Sequence, residues 1–149
     1  MDSPISIELT RREGYRFEVV FQSAGAAPLS TDAPRPLGKE SGPNSEELLL
    51  AAVANCLAAS LLFSLRKYGN EPGPIQAFAT ATLVRNDEGR PRIGAMDVRI
   101  RLGAAASTLR LLDRAIDQFE DHCVVTQSVR AGIPVRVRVE DSHGIVLKA

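Results

Sequence analysis

The chain contains two thiols, Cys56 and Cys123, far apart in the sequence. A thiolate rather than a thiol is the nucleophile, and free cysteine, with a pKa of about 8.5, is mostly protonated at neutral pH. Chemistry at either sulfur therefore requires surroundings that favour the anion. In a reducing compartment an isolated pair of this kind is more often free, catalytic or redox-sensing than a structural staple. Cys56 lies inside an apolar run, where cysteine also serves as a small hydrophobe. Cys123 lies between a helical pattern and a short following segment, where helix N-terminal peptide groups stabilise a thiolate. Upstream of Cys56, Asn44-Ser45-Glu46-Glu47 reads as an N-cap followed three residues later by a capping-box carboxylate. That pattern suits Glu47 to the cap and leaves Glu46 for another role. His122 beside Cys123 offers a zinc-type donor together with Cys56 and a carboxylate. No close C-x-x-C or H-x-x-x-H spacing accompanies it, so neither a metal nor a cofactor is expected.

These side chains need a scaffold. At 149 residues, with 44% hydrophobic and 24% charged content, residues 1–149 are expected to form a single α+β domain. Lys+Arg and Asp+Glu are both 18, which removes the net field that draws in nucleic acid. Met1-Asp2-Ser3-Pro4-Ile5 has neither the basic flank nor the apolar run of a secretory signal, so a cytoplasmic location is expected. Ile5, Ile7 and Leu9 alternate with polar residues, and after Arg11-Arg12-Glu13-Gly14 the alternation resumes at Tyr15, Phe17, Val19 and Phe21, as in a hairpin. Residues 23–44, rich in proline and glycine, read as a long loop.

Leu48 to Leu65 carries no charge and is long enough to span a membrane. Asn55, Cys56, Ser60 and Ser64 interrupt it, however, and the rest of the chain reads as half-buried strands. The expectation is a central helix buried in protein rather than lipid. One small domain struggles to wrap such a helix, which predicts a homodimer. Arg66-Lys67-Tyr68-Gly69 closes the helix. A second hairpin follows, alternating from Ile75 to Leu83 and from Met96 to Leu102 across Asn86-Asp87-Glu88-Gly89. Leu109, Leu112, Ile116 and Phe119 recur at helical spacing, predicting a second long helix. After Cys123 come a short helix, a strand at Val135, Val137 and Val139, and a short edge at 145–147. The pattern is α+β and dominated by antiparallel hairpins.

The stretch Gly42-Pro43-Asn44-Ser45-Glu46-Glu47-Leu48-Leu49-Leu50-Ala51-Ala52-Val53-Ala54-Asn55-Cys56 resembles the G-[PT]-x-P-x-E-L-x-x-A-A-x-x-x-C signature of the OsmC/Ohr family. Cys123-Val124-Val125-Thr126-Gln127-Ser128, followed by Gly132-Ile133-Pro134-Val135, resembles the family's second cysteine and valine-rich strand. Ser45 and Val124 stand where many members have proline, and neither change removes a reacting atom. The resemblance covers nearly the whole chain and implies an OsmC-like fold in an intertwined homodimer. It also implies a thiol-based, antioxidant peroxidase for organic hydroperoxides: Cys56 attacks the distal peroxide oxygen, and its sulfenic acid condenses with Cys123.

By the same resemblance, an arginine holds the thiolate and polarises the peroxide, and a glutamate from the first helical turn orients that arginine. Glu46, ten residues before Cys56, has the Ohr spacing, and Glu47 is the alternative glutamate. Arg12-Glu13-Gly14 resembles a G-R-[DE]-G element of Ohr, whereas Arg35 lies in the loop where OsmC members carry their arginine, so both stay open. Apolar neighbours Leu49, Leu50, Ala52, Leu57 and Phe63 favour an alkyl substrate. The implied reductant is a dithiol or lipoyl-bearing protein. A competing expectation is a noncatalytic redox sensor or apolar-ligand-binding dimer of the same fold.

Overall fold

In the computed structural model, which describes residues 3–149, the chain divides into two compact units, one ending at Leu49 and the other running from Leu50 to Ala149. In the first, β1 (Ile7–Glu13) and β2 (Arg16–Phe21) form the expected hairpin. The residues expected to be only loop include a short strand, β3 (Leu29–Thr31), which pairs antiparallel with β2 from Phe17↔Thr31 to Val19↔Leu29. Three residues of pairing are too few to leave a periodic signal among prolines and glycines. The loop after β3 folds back on it so closely that a Cβ on Gly42 would meet the Ser30 carbonyl oxygen at 2.2 Å, which requires glycine there. Asp32 organises the return: its buried carboxylate accepts the Ala33, Lys39 and Ser41 N–H groups and the Ser41 hydroxyl. These bonds, the Ser41 hydroxyl first, hold the Asp32 carboxyl well below the usual range, at about 2.

The long helix α1 (Ser45–Lys67) begins at this unit's end. Asn44 Oδ1 accepts the Glu47 N–H at 2.9 Å and the Glu47 carboxylate accepts the Asn44 N–H, a reciprocal capping box.

The second unit carries the rest of α1, then β4 (Ile75–Arg85), β5 (Pro91–Leu102), α2 (Leu112–Gln118), a 3-10 turn (Phe119–His122), α3 (Val124–Val129), β6 (Val135–Glu140) and β7 (Val146–Lys148). The sheet order is β4-β5-β6-β7. The β4–β5 and β6–β7 pairs are antiparallel, but β6 runs parallel to β5. The one parallel pairing follows from α2 and α3, which carry the chain back across the sheet before β6 starts. The pairs Met96↔Val135, Val98↔Val137 and Ile100↔Val139 place one buried stripe on a single sheet face. From α1, Val53, Leu57, Leu61, Ser64 and Leu65 are buried, a stripe recurring every three to four residues.

The second helix is shorter than expected. Leu109 is extended and Leu111 is left-handed at φ 49°, so only seven residues are α-helical before the 3-10 turn begins. Helical spacing of leucines persisted beyond what the backbone adopts, because the buried positions Ala115, Ile116 and Phe119 need only two turns. Ser64 Oγ donates to the Ala115 carbonyl at 2.9 Å, and the Asn70 amide both donates to and accepts from the Arg110 backbone, tying the end of α1 to α2. An 18-residue window of α1 has a mean hydropathy of 2.2 and the length to cross a membrane, and 28% of that window is buried. Complete burial of α1 is not achieved by one chain: Ala51, Ala52, Asn55, Ala59 and Phe63 face outward.

Candidate functional site

The fold of the second unit brings the two cysteines together as interacting, reduced thiols. Cys56 is half-buried midway along α1, whereas Cys123 is fully buried at the N-cap of α3. Cys123 makes no side-chain cap for α3, so the first-turn peptide N–H groups have no acceptor within their own helix. The Cys56 sulfur takes that place. Burial, the largest influence on Cys56, pushes its thiol up. Hydrogen bonds from Cys123, the Val125 and Thr126 peptide groups and Ser60 outweigh it, so the net direction is down. Cys123 moves the other way: burial and the neighbouring Cys56 raise it, against a lowering influence from Thr126. The sequence expectation that the α3 N-terminus would favour a thiolate at Cys123 meets an opposing influence: the Thr126 peptide group lowers Cys123, but burial and the neighbouring Cys56 outweigh it.

The turn holding Cys123 is fastened from behind. The Cys123 N–H donates to the Glu120 carbonyl at 3.1 Å, and Gln127 Nε2 donates to the same oxygen at 2.9 Å. The Glu120 side chain, nearly buried, accepts from Arg130 on one oxygen and pairs with Lys148 on the other. Burial raises the Glu120 carboxyl, and Lys148 and Arg130 together bring it below the usual range. Arg130 also donates to the Val135 carbonyl at 2.9 Å, so one buried carboxylate links the Cys123 turn, α3, β6 and β7.

The charged candidates of the first unit have other partners. Arg12 donates to Glu18 at 2.6 Å, and Arg35 pairs with Glu40 at 3.5 Å. Glu47 is engaged in the cap of α1. Glu46 is exposed and paired with neither arginine. Of the apolar residues around Cys56 in sequence, Leu57 is in the core and Leu49 and Leu50 are half-buried, whereas Ala52 and Phe63 are exposed. Among the described residues no three His, Cys, Asp or Glu side chains cluster as a metal site, and His122 is exposed.

The family model described as OsmC-like protein matches residues 38–138, a span that contains both cysteines. The chain belongs to the OsmC-like family. Among solved structures, an OsmC-like protein from Mycoplasma pneumoniae is 15% identical and matches with a TM-score of 0.76 over 96% of this chain and 100% of that one. An organic hydroperoxide resistance protein from Legionella pneumophila is 15% identical, with a TM-score of 0.70 over 93% of this chain and 98% of its own. The organic hydroperoxide resistance protein OhrB of Bacillus subtilis is 15% identical, with a TM-score of 0.65 over 91% and 98%. Among curated proteins no sequence matches significantly. At such identities the shared property is the OsmC-like fold, with its central long helix. Around the OsmC-like cysteine pair, sequence reasoning missed Ser60 and Thr126. Their only signal was spacing: Ser60 lies one helical turn after Cys56, and Thr126 three residues after Cys123.

Proposed function

We propose that the chain reduces organic hydroperoxides with its two cysteines. The observation that carries this reading is the contact between a half-buried thiol shifted toward its anion and a buried thiol that keeps its proton. The Cys56 thiolate attacks the distal peroxide oxygen, the O–O bond breaks, and the alkoxide takes a proton and leaves as an alcohol. The Cys56 sulfenic acid then condenses with the Cys123 thiol, forming the disulfide and releasing water. An external dithiol, of the lipoyl-protein kind, restores both thiols by exchange. In the cytoplasm the cycle would serve as an antioxidant defence, and the hydroperoxide resistance proteins of the same fold support that direction.

The arginine of the reading is Arg12, with Arg35 as its alternative. Its orienting carboxylate is Glu46, with Glu47 as the alternative, so the Arg12–Glu18 pair has to open during the cycle. The working form is a homodimer in which a second copy covers Phe63 and the alanines of α1; Ile7 and Leu9, both about half exposed on β1, support the same assembly. A second reading, a noncatalytic sensor or apolar-ligand-binding dimer, is favoured by one observation: Arg12 and Arg35 are paired with Glu18 and Glu40.

Anaerobic titration of the reduced protein with cumene hydroperoxide, followed by mass mapping, separates the two. Rapid loss of both thiols with a Cys56–Cys123 disulfide is expected, and Cys56→Ser abolishes it. Because Cys56 is shifted down, the rate rises with pH through a midpoint below that of free cysteine and levels off above it. A folded protein whose Cys56 stays reduced rejects the peroxidase.

A further inference from the structure

Resolution of a sulfenic acid at Cys56 requires Cys123 to act as a nucleophile from a site with no exposure to water. An isolated thiolate there lacks solvation, and burial holds the proton on sulfur. Beside Cys56, the polar side chain at that sulfur is Thr126, itself fully buried, whose Oγ1 accepts the Cys123 S–H at 3.0 Å. A hydroxyl is donor and acceptor in one group. It accepts from the thiol and, after rotation about its C–O bond, donates to the thiolate, so the same residue serves Cys123 before and after ionisation. An ammonium can only donate and an ionised carboxylate can only accept. A valine of the same shape fills the space without either bond.

We propose that Thr126 is a catalytic residue for disulfide closure: its hydroxyl aims the Cys123 sulfur at Cys56 and solvates the thiolate that attacks. The inference rests on the peroxidase reading for its reaction, while the ionisation of Cys123 is independent of it. In the balanced step, the Cys123 proton and the sulfenic hydroxyl leave together as water while the S–S bond forms. Thr126 neither gains nor loses a proton.

The first measurement needs no peroxide. In a Cys56→Ser background Cys123 is the only thiol, so thiolate ultraviolet absorbance against pH reports it alone. Adding Thr126→Val should move that titration to higher pH by about one pH unit, the equivalent of one lost hydrogen bond to a charged atom, and Thr126→Ser should restore it. The second measurement is a single turnover of the chain with both cysteines. Thr126→Val should slow disulfide closure about ten- to hundredfold, a larger loss than any it causes in sulfenic acid formation at Cys56. Sulfenic acid then accumulates, is captured by dimedone and advances to sulfinic acid under excess peroxide. Thr126→Ala is the alternative should the valine variant not fold.

An unshifted Cys123 titration together with wild-type closure overturns the proposal. So does equal impairment by serine and valine, which would make the effect one of packing. If wild-type Cys56 forms no sulfenic acid but the Cys123 titration still answers to Thr126, the peroxidase reading fails and the role of Thr126 at the sulfur stands.

Discussion

The two compact units are held together by different forces. Among the described residues of the first, Val19 is the one buried apolar side chain, and every residue of β1 is exposed. Its order comes from polar latches: the four bonds into Asp32 and the Asn44–Glu47 box. The second unit is organised by apolar burial, with the stripe of α1 and the paired stripes of β5 and β6 almost without exposure. Apolar burial is non-directional and scales with area, so it produces one cooperative body. Hydrogen bonds contribute modestly but are costly to leave unmade, so they fix a local path without making a core. The lesson for the candidate site is that the two sulfurs sit in the unit with the apolar core. The candidate arginines and Glu46 sit in the unit ordered by polar contacts, where Arg12 is paired with Glu18 and Arg35 with Glu40.

Leu61→Ala should sharpen this contrast most. Leu61 is fully buried, and its truncation should cost about 3 kcal/mol, seen as a lower denaturation midpoint for the whole second unit. Glu120→Gln should cost about 2 kcal/mol, because Arg130 and Lys148 lose a common counter-charge in a partly buried place. It should also raise hydrogen exchange at Cys123 and Gln127 before it changes exchange at Met96 or Val98. Asn44→Ala should cost about 1 kcal/mol through loss of the α1 cap, leaving the Cys56 titration unmoved.

The smallest global effect is expected for Asp32→Asn, detected as faster exchange at Lys39 and Ser41 with little change in the main unfolding transition. Asp32 also makes a pH prediction whose sign is definite. Its folded carboxyl, at about 2, lies below its ordinary value of 3.8, so its stabilisation is complete above the ordinary value and drains away as pH falls toward about 2. The asparagine variant should lose that dependence. If instead Asp32→Asn lowered global stability as much as Leu61→Ala, the contrast between the units would be wrong.

Periodicity made most of the scaffold legible. The alternation around Val19, and from Ile75 to Leu102, became hairpins because a half-buried sheet demands period two. The cap at Asn44 and Glu47 was legible because it is a contact between near neighbours. β3 and the parallel placement of β6 were not, since three residues carry no period and strand direction depends on the route of the intervening helices. Leu109 and Leu112 misled on helix length, because apolar spacing records what a helix would bury and not where the backbone begins to turn. At the site, Cys56, Cys123 and the family were readable from residue types and a motif. The partners that set the two sulfurs apart were not.

By itself the sequence determined most of the elements, the cap and the apolar character of α1, because each depends on residues within a few positions of one another. Only the tertiary structure decided that the two sulfurs meet at the start of α3, which of them is shut away with Thr126, and how Glu120 ties down the Cys123 turn. Those outcomes depend on burial and on contacts between distant segments. A thiol's proton answers to its surroundings in space, and the order of residues along the chain does not contain them.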